Sequence, residues 1–387
     1  EIEFVSYPYE WCFSQLQDAA LLTLEIQKRA LASGLILKDA SAYNVQFWRG
    51  RPVLIDTLSF ERHVEGLPWL GYAQFCRHFL APLALMTYCD VRLSQLLRVH
   101  LDGIPLDLAT ALLPARAWLR PSLLTHIRVH ASFQRRFAAG GAGSRGDARP
   151  GVRRAIGRRG LIGLAHGLEA AIRRLRWQPG PSEWSDYEKD DSYSAAGLAD
   201  KRRLVAEHLK ALQPARVWDL GANTGAFSRL AAEQGAFCVA FDGDPLCVER
   251  SYAALREAGE ARLLPLLQDL TNPSPALGWD HGERAALAER AGADLVMALA
   301  LIHHLAISNN VPLERVADLL VPLAEHAIVE FVPKQDAKVR VLLASREDVF
   351  PAYTRDGFEA AFGRRYEVVR RDAIEDSQRI LYLLRRR

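Results

Sequence analysis

The chain has little of what builds covalent or metal frameworks. Its five cysteines, Cys12, Cys76, Cys89, Cys238 and Cys247, are spread over 387 residues with no two in a CxxC pair. That argues against a zinc ribbon or a redox dithiol and fits the reduced thiols of a cytoplasmic protein. No apolar run is long enough to span a bilayer, and no signal peptide is recognisable. An excess of one charge is missing too: 49 Lys and Arg stand against 46 Asp and Glu, a formal net charge of +3. Any nucleic-acid contact must therefore rest on a local patch. Core material, by contrast, is abundant. With 49% hydrophobic and 25% charged residues the composition is globular, and the length predicts two or three domains. The first residue is Glu1 rather than Met, which leaves open whether residues upstream are missing.

Three regions follow from the pattern. Residues 1–137 read as a mainly helical accessory domain. Helical periodicity runs through LQDAALLTLEIQKRAL (16–31) and LPWLGYAQFCRHFLAPLALMTY (67–88), with a hairpin around Arg49-Gly50 in NVQFWRGRPVLID between them. Residues 138–183 read as a basic Gly/Arg-rich linker followed by a basic amphipathic helix. Eleven arginines lie from Arg135 to Arg176, against Asp147 and Glu169. Such a segment suits an RNA backbone or an anionic membrane surface, or is simply a solvated helix. Over residues 184–387 strands and helices alternate, which predicts a parallel sheet with crossovers. Strands are expected at 215–219, 236–241, 261–267, 293–300 and 326–332, and an antiparallel pair at 365–373 and 379–386.

WDLGANTGAF (218–227) follows the first of these strands and opens a helix, an arrangement that favours anions. It is no P-loop, because Ala226 follows Gly225 where a lysine is needed. It departs from the dinucleotide fingerprint at Asn223, whose Cβ obstructs a pyrophosphate. The series Asp219, Gly221, Asn223, Gly225 resembles motif I of class I S-adenosylmethionine-dependent methyltransferases. The resemblance implies an α/β, doubly wound Rossmann-like sheet with an antiparallel last strand, and S-adenosylmethionine as cofactor. It also implies that Asp242, closing the second strand, holds the ribose, and that Asp269 and Leu270 after the third strand meet the adenine. Leu299, near the end of the fourth strand, is a further cofactor-binding candidate. Asp244 is expected to cap the helix that follows it. A Rossmann-type sheet with another nucleotide, or a cofactor pocket without activity, is the alternative.

Ligands of open α/β sheets bind at the carboxyl ends of strands. MALALIHHL places His303 and His304 there, and EFVPKQD adds Glu330, Lys334 and Asp336. A hydroxyl or ammonium acceptor must lose a proton, so His303 or His304 is the candidate base, with Glu330 orienting it. Lys334 is a candidate for the acceptor. The paired histidines could instead bind a metal with Glu330, but no flanking spacing supports that and none is expected. Upstream, Trp184 and Tyr187 are candidates for the acceptor and Tyr193 and Lys201 for the cofactor, Lys201 through the cofactor's carboxylate; alternatively these residues pack the domain entry.

LKDASAYNVQFWRGRPVLIDTLSF resembles the catalytic and metal loops of protein kinases and aminoglycoside phosphotransferases through Asp39, Asn44 and Asp56. It departs from them at Leu37-Lys38 and at Thr57-Leu58, and only 38 residues precede Asp39. An active kinase, a degenerate kinase-like remnant and an unrelated hairpin all remain readings. YPYEW, LKDASAYN, IDTLSFE, ALALIHHL and EFVPKQD together resemble bacterial host-specificity nodulation protein-like methyltransferases. The expectation is therefore a cytoplasmic enzyme methylating an oxygen or nitrogen of a small molecule, glycan or natural-product intermediate. The alternatives are an RNA methyltransferase using segment 135–176 and a non-catalytic cofactor-binding scaffold. No oligomeric state is predicted.

Overall fold

A computed structural model describes residues 1–132, 156–180, 193–290, 292–344 and 347–387. The chain divides into two units, one of Ser6–Gly180 and one of Pro181–Arg387 together with Glu3–Val5. Trp184, Tyr187 and most of the Gly/Arg-rich stretch lie outside the described residues.

In the first unit, helix Phe13–Ala32 leads into β1 (Leu35–Leu37). A hairpin of β2 (Val45–Trp48) and β3 (Arg51–Leu54) follows, and β4 (Phe60–Arg62) returns antiparallel to β1. Arg49 (φ 50°) and Gly50 (φ 71°) both take positive φ, the combination that turns a hairpin in two residues. The expected helix over 67–88 is interrupted: helix Tyr72–Phe75, a π turn Cys76–Leu80 and helix Ala81–Tyr88 follow one another. Pro82 has no N–H to complete the ladder, which accounts for the break.

The basic helix, Arg158–Arg174, is not part of a linker. Its Leu161, Ala165, Leu168 and Ile172 are buried, and Gln17 of helix Phe13–Ala32 donates to the Ile172 and Leu175 carbonyls at 2.9 and 3.1 Å. Lys28 meets Glu169 at 2.8 Å. Four of the eleven arginines, Arg158, Arg159, Arg173 and Arg174, lie on this helix and are exposed; the apolar stripe decides its place.

The second unit is a doubly wound, Rossmann-like α/β sheet. Its strands are β5 (Arg216–Leu220), β6 (Phe237–Asp242), β7 (Leu263–Leu267), β8 (Ala293–Ala298), β9 (Ala324–Phe331), β10 (Tyr366–Ala373) and β11 (Ile380–Arg386). The order is β10-β11-β9-β8-β5-β6-β7. β11 runs antiparallel between β9 and β10, and β5 to β9 are parallel. The central strand β8 is nearly all buried apolar residues, as a strand covered on both faces must be. Asp294 pins the start of β5 by accepting from the Ala215 and Arg216 N–H at 2.9 and 2.8 Å. Asp244 caps helix Pro245–Ala258 as expected, accepting from Leu246 N–H at 2.8 Å.

Two glycines at positive φ test the packing of this unit. A Cβ on Gly225 (φ +88°) would sit 2.9 Å from Ser251 Oγ, whereas Gly235 (φ +99°) has nothing within 4 Å. Replacement of either by Ala costs about 1–2 kcal/mol through the backbone alone. Gly225→Ala should cost measurably more in urea unfolding because Ser251 must move; equal losses would contradict this packing.

Candidate functional site

The glycine turn is held by the end of β6. The chain leaves β5 through Gly221 (φ 73°) and Asn223 (φ 52°) and enters helix Ala226–Glu233 at Gly225 (φ 88°). The Phe241 carbonyl accepts from Gly221 N–H at 2.8 Å and Ala222 N–H at 2.9 Å. Asp242 Oδ2 accepts from Asn223 N–H at 2.7 Å, and its Oδ1 from Asp244 N–H at 2.8 Å. Asn223 suits the left-handed position because its short amide bonds locally, to Thr224 N–H at 2.7 Å.

A cleft of about 540 Å³ opens beside this turn, a volume suited to a small ligand. Gly221 and Asn223 form one edge, with Asp242 and Gly243 after β6, Gln268 to Thr271 after β7, and Leu299 to Leu301, His304, Leu305 and Asn309 after β8. Of the residues expected to bind cofactor, the structure thus brings Gly221, Asn223, Asp242, Asp269, Leu270 and Leu299 to one cavity. Asp219 and Gly225 stand behind it. Asp219 is buried and accepts from the Ser228 hydroxyl at 2.6 Å, bracing the start of helix Ala226–Glu233. Asp269 is exposed and turns its carboxylate onto its own loop, accepting from Thr271 N–H at 2.8 Å and its hydroxyl at 2.6 Å. Gln268, Gly243 and Asn309 carry no motif signal, and the sequence reading misses them.

Burial sets the electrostatics. It pushes the Asp242 carboxyl up to about 6, against the hydrogen bonds from Asp244 and Asn223. It pushes Asp219 up to about 6 as well, against the Ser228 hydroxyl. On the histidines burial acts the other way. His304, on the cleft wall, is held down at about 4, by burial first and then by the Arg379 charge. His303 is fully buried with its ring centroid 3.9 Å from that of His304, and neither ring nitrogen meets a partner. Burial and then the neighbouring His304 hold it well below the ordinary range.

The remaining candidates form a separate, buried cluster. Lys201 Nζ lies 2.7 Å from Glu330 Oε2, and Arg379 Nη1 lies 3.5 Å from Glu330 Oε1. The Tyr193 hydroxyl donates to Glu330 and accepts from Lys201 at 3.1 Å. Arg379 also grips Asp336 through Nε at 2.7 Å and Nη2 at 3.1 Å. Tyr193 and Lys201, expected on the cofactor, are engaged instead with Glu330, because a buried carboxylate needs cations and donors around it. Burial alone would push Glu330 up; the Lys201 and Arg379 charges outweigh it and hold the carboxyl below its usual value. Arg379 was not foreseen, since it stands alone in the turn before β11. Lys334 holds the Asp348 carboxylate at 2.8 and 2.7 Å.

In the first unit, Asn44 donates to the Ser59 hydroxyl at 3.1 Å, and Ser59 donates to Asp56 at 2.5 Å. Asp39 turns to its own loop and accepts from Ser41 N–H at 2.9 Å. Among the described residues no group of three His, Cys, Asp or Glu is placed to hold a metal ion, and no helix is long and apolar enough to cross a membrane.

The sheet, with its one inserted antiparallel strand and its cleft at the carboxyl ends of β5 to β8, is the class I methyltransferase fold. Over its full 387 residues the chain is 38% identical to nodulation protein NoeA of Rhizobium meliloti strain 1021, of which it spans 80%; it belongs to the NoeA family. No protein-family model matches it. Among solved structures, magnesium protoporphyrin IX methyltransferase (ChlM) of Synechocystis PCC 6803 with bound SAM is 19% identical, with 55% of this chain and 88% of that one covered, at a TM-score of 0.35. N-methyltransferase NodS of Bradyrhizobium japonicum WM9 is 13% identical, with 50% and 98% covered, at a TM-score of 0.37.

The two ion pairs on either side of β9's end differ in kind. Glu330→Gln leaves two buried cations short of a counter-charge and should cost about 3–5 kcal/mol in chemical unfolding. Lys334→Ala breaks a more exposed pair and should cost no more than about 1 kcal/mol. Similar losses would show that the Glu330 cluster is hydrated.

Proposed function

We propose that the chain transfers a methyl group from S-adenosylmethionine to an oxygen or nitrogen of a small molecule, glycan or natural-product intermediate. The observation that carries this reading is Asp242. Its carboxylate lines the cleft, is fixed by two backbone N–H groups, and keeps lone pairs for two more donors. A vicinal pair of ribose hydroxyls supplies such donors. Gly221 and Asn223 then stand beside the ribose and amino-acid portions, and Asp269 and Leu270 beside the adenine. Bound there, S-adenosylmethionine supplies an electrophilic methyl on a sulfonium.

The chain's own residues align and deprotonate the acceptor. His304 lines the cleft and is neutral at neutral pH, so it can take a proton; His303 is sealed away from the cavity. The burial that keeps His304 neutral also weakens it as a base. For a hydroxyl that is sufficient, because an oxygen gaining a methyl becomes far more acidic as the bond forms; a nitrogen acceptor must arrive as the free amine. No observation of the cleft favours the RNA or scaffold readings.

Calorimetry with S-adenosylhomocysteine tests the cofactor. Asp242→Ala should weaken binding at least about a hundredfold, since two charge-assisted bonds of about 1.5–3 kcal/mol each are lost. The ionised carboxylate is the form that accepts from hydroxyls. Affinity should therefore fall as pH drops below the Asp242 value of about 6, by up to about tenfold per unit. Asp242→Asn should bind more weakly at pH 7 and lose that dependence; an unchanged profile would remove Asp242 from the ribose.

Labelled methyl donor with host-cell extract tests the acceptor. Label is expected in the small-molecule or glycan fraction, and label confined to RNA would overturn that choice.

A further inference from the structure

One aromatic residue far from the cleft in sequence belongs to the same unit. Phe4 is buried, with its ring edge-on to Trp218 of β5 at 5.5 Å and to Phe241 of β6 at 5.8 Å. Trp218 and Phe241 meet each other at 5.3 Å.

Sheet geometry shows why the place is open to Phe4. Asp219 points to helix Ala226–Glu233 through Ser228, so its neighbour Trp218 points to the opposite face. Trp218 pairs with Val239 in register, and Phe241, two residues on, shares that face. Helices Ala226–Glu233 and Pro245–Ala258 pack on the first face. The β7–β8 connection would ordinarily supply a covering helix on the second. Among its described residues it holds only short turns, Trp279–His281 and Leu287–Glu289. Arg290, near the end of that connection, reaches back over the gap. Its guanidinium stacks on the Phe4 ring at 4.9 Å and donates to the Val5 carbonyl at 3.0 Å.

Phe241 is also the residue whose carbonyl holds the Gly221 and Ala222 amides, and Asp242 follows it directly. We propose that Phe4 is a positioning residue for the cofactor turn: it fills the face left without a helix and so fixes Phe241, the anchor of Gly221 and Ala222. The effect on cofactor affinity rests on the function proposed above; the effect on the turn does not.

The test uses the full chain with Phe4→Ala, Phe4→Leu and, as control, Leu384→Ala at a fully buried position of β11. Two readouts are taken: hydrogen exchange at the Gly221 and Ala222 amides, and S-adenosylhomocysteine affinity. Phe4→Ala should speed exchange at both amides and weaken binding on the order of tenfold, the scale of a small misplacement in a preorganised site. Phe4→Leu should restore most of both. Leu384→Ala should lower stability and leave both unchanged. Unchanged amides in Phe4→Ala, or equal changes in Leu384→Ala, would overturn the proposal. Where Phe4→Ala does not fold, Phe4→Leu decides: amides as protected as in the wild type overturn it, and partial loss supports it. A wild type that binds no S-adenosylhomocysteine would refute the proposed cofactor, while amide exchange would still decide the role of Phe4.

Discussion

Three consecutive amides, Gly221, Ala222 and Asn223, leave β5 with no helix or strand ladder to receive them. All three find acceptors on the last two residues of β6: two on the Phe241 carbonyl and one on the Asp242 carboxylate. Such donors cannot be left unmet away from water, so the turn has no freedom to drift from β6. The left-handed backbone at Gly221, Asn223 and Gly225 follows from that demand. Asp242 therefore carries two duties at once. It completes the backbone's hydrogen bonding, and it presents the rest of its lone pairs to the cleft. A side chain fixed by structure is already oriented before any ligand arrives, which is the condition for affinity without an ordering cost.

The same burial moves acids and imidazoles in opposite senses. For Asp219 and Asp242 the folded value of about 6 lies above the unfolded 3.8. The unfolded chain releases these protons first, so the stability they contribute falls as pH rises from about 4 to 6. For His304 the folded value of about 4 lies below the unfolded 6.5. There the unfolded chain binds the proton first, and stability falls as pH drops from 6.5 toward 4. The two slopes oppose each other over one window. Acid sensitivity of the free protein thus blends them, whereas the ligand affinity proposed above would follow Asp242 alone. The Glu330 cluster sets two cations, Lys201 and Arg379, against two carboxylates, Glu330 and Asp336, and so carries no large unbalanced charge.

The sheet was legible because its strands are short apolar runs separated by helical periodicity, and parallel pairing buries both faces. The place of Asp242 at the end of the second strand was legible for the same reason; its hold on the Asn223 and Asp244 amides was not. Lys201, Glu330 and Arg379 were harder. They come from a helix before the sheet, the fifth strand of the sheet and the turn before its last strand, and only the fold brings them together. Lys201 in LADKRRLV looks like any solvated helix lysine, and Arg379 looks like a polar residue heading a strand. The helix Arg158–Arg174 is legible as an amphipathic helix, but not the place where it packs, which Leu161, Ala165, Leu168 and Ile172 determine.

The histidine pair shows how an unresolved alternative is decided by burial rather than by residue type. Adjacent residues with identical side chains differ because the chain begins to coil at Ile302 and passes at His304 into the π turn His304–Ser308. One ring is directed inward, with no donor or acceptor for either nitrogen; the other reaches the cleft wall. An imidazolium at His303 would be a third cation beside Lys201 and Arg379 with no hydrogen bond to offset its desolvation. His303 is therefore neutral and buried, with no partner through which to pass a proton. Under the proposed methyl transfer, proton acceptance falls to His304, the imidazole that lines the cavity.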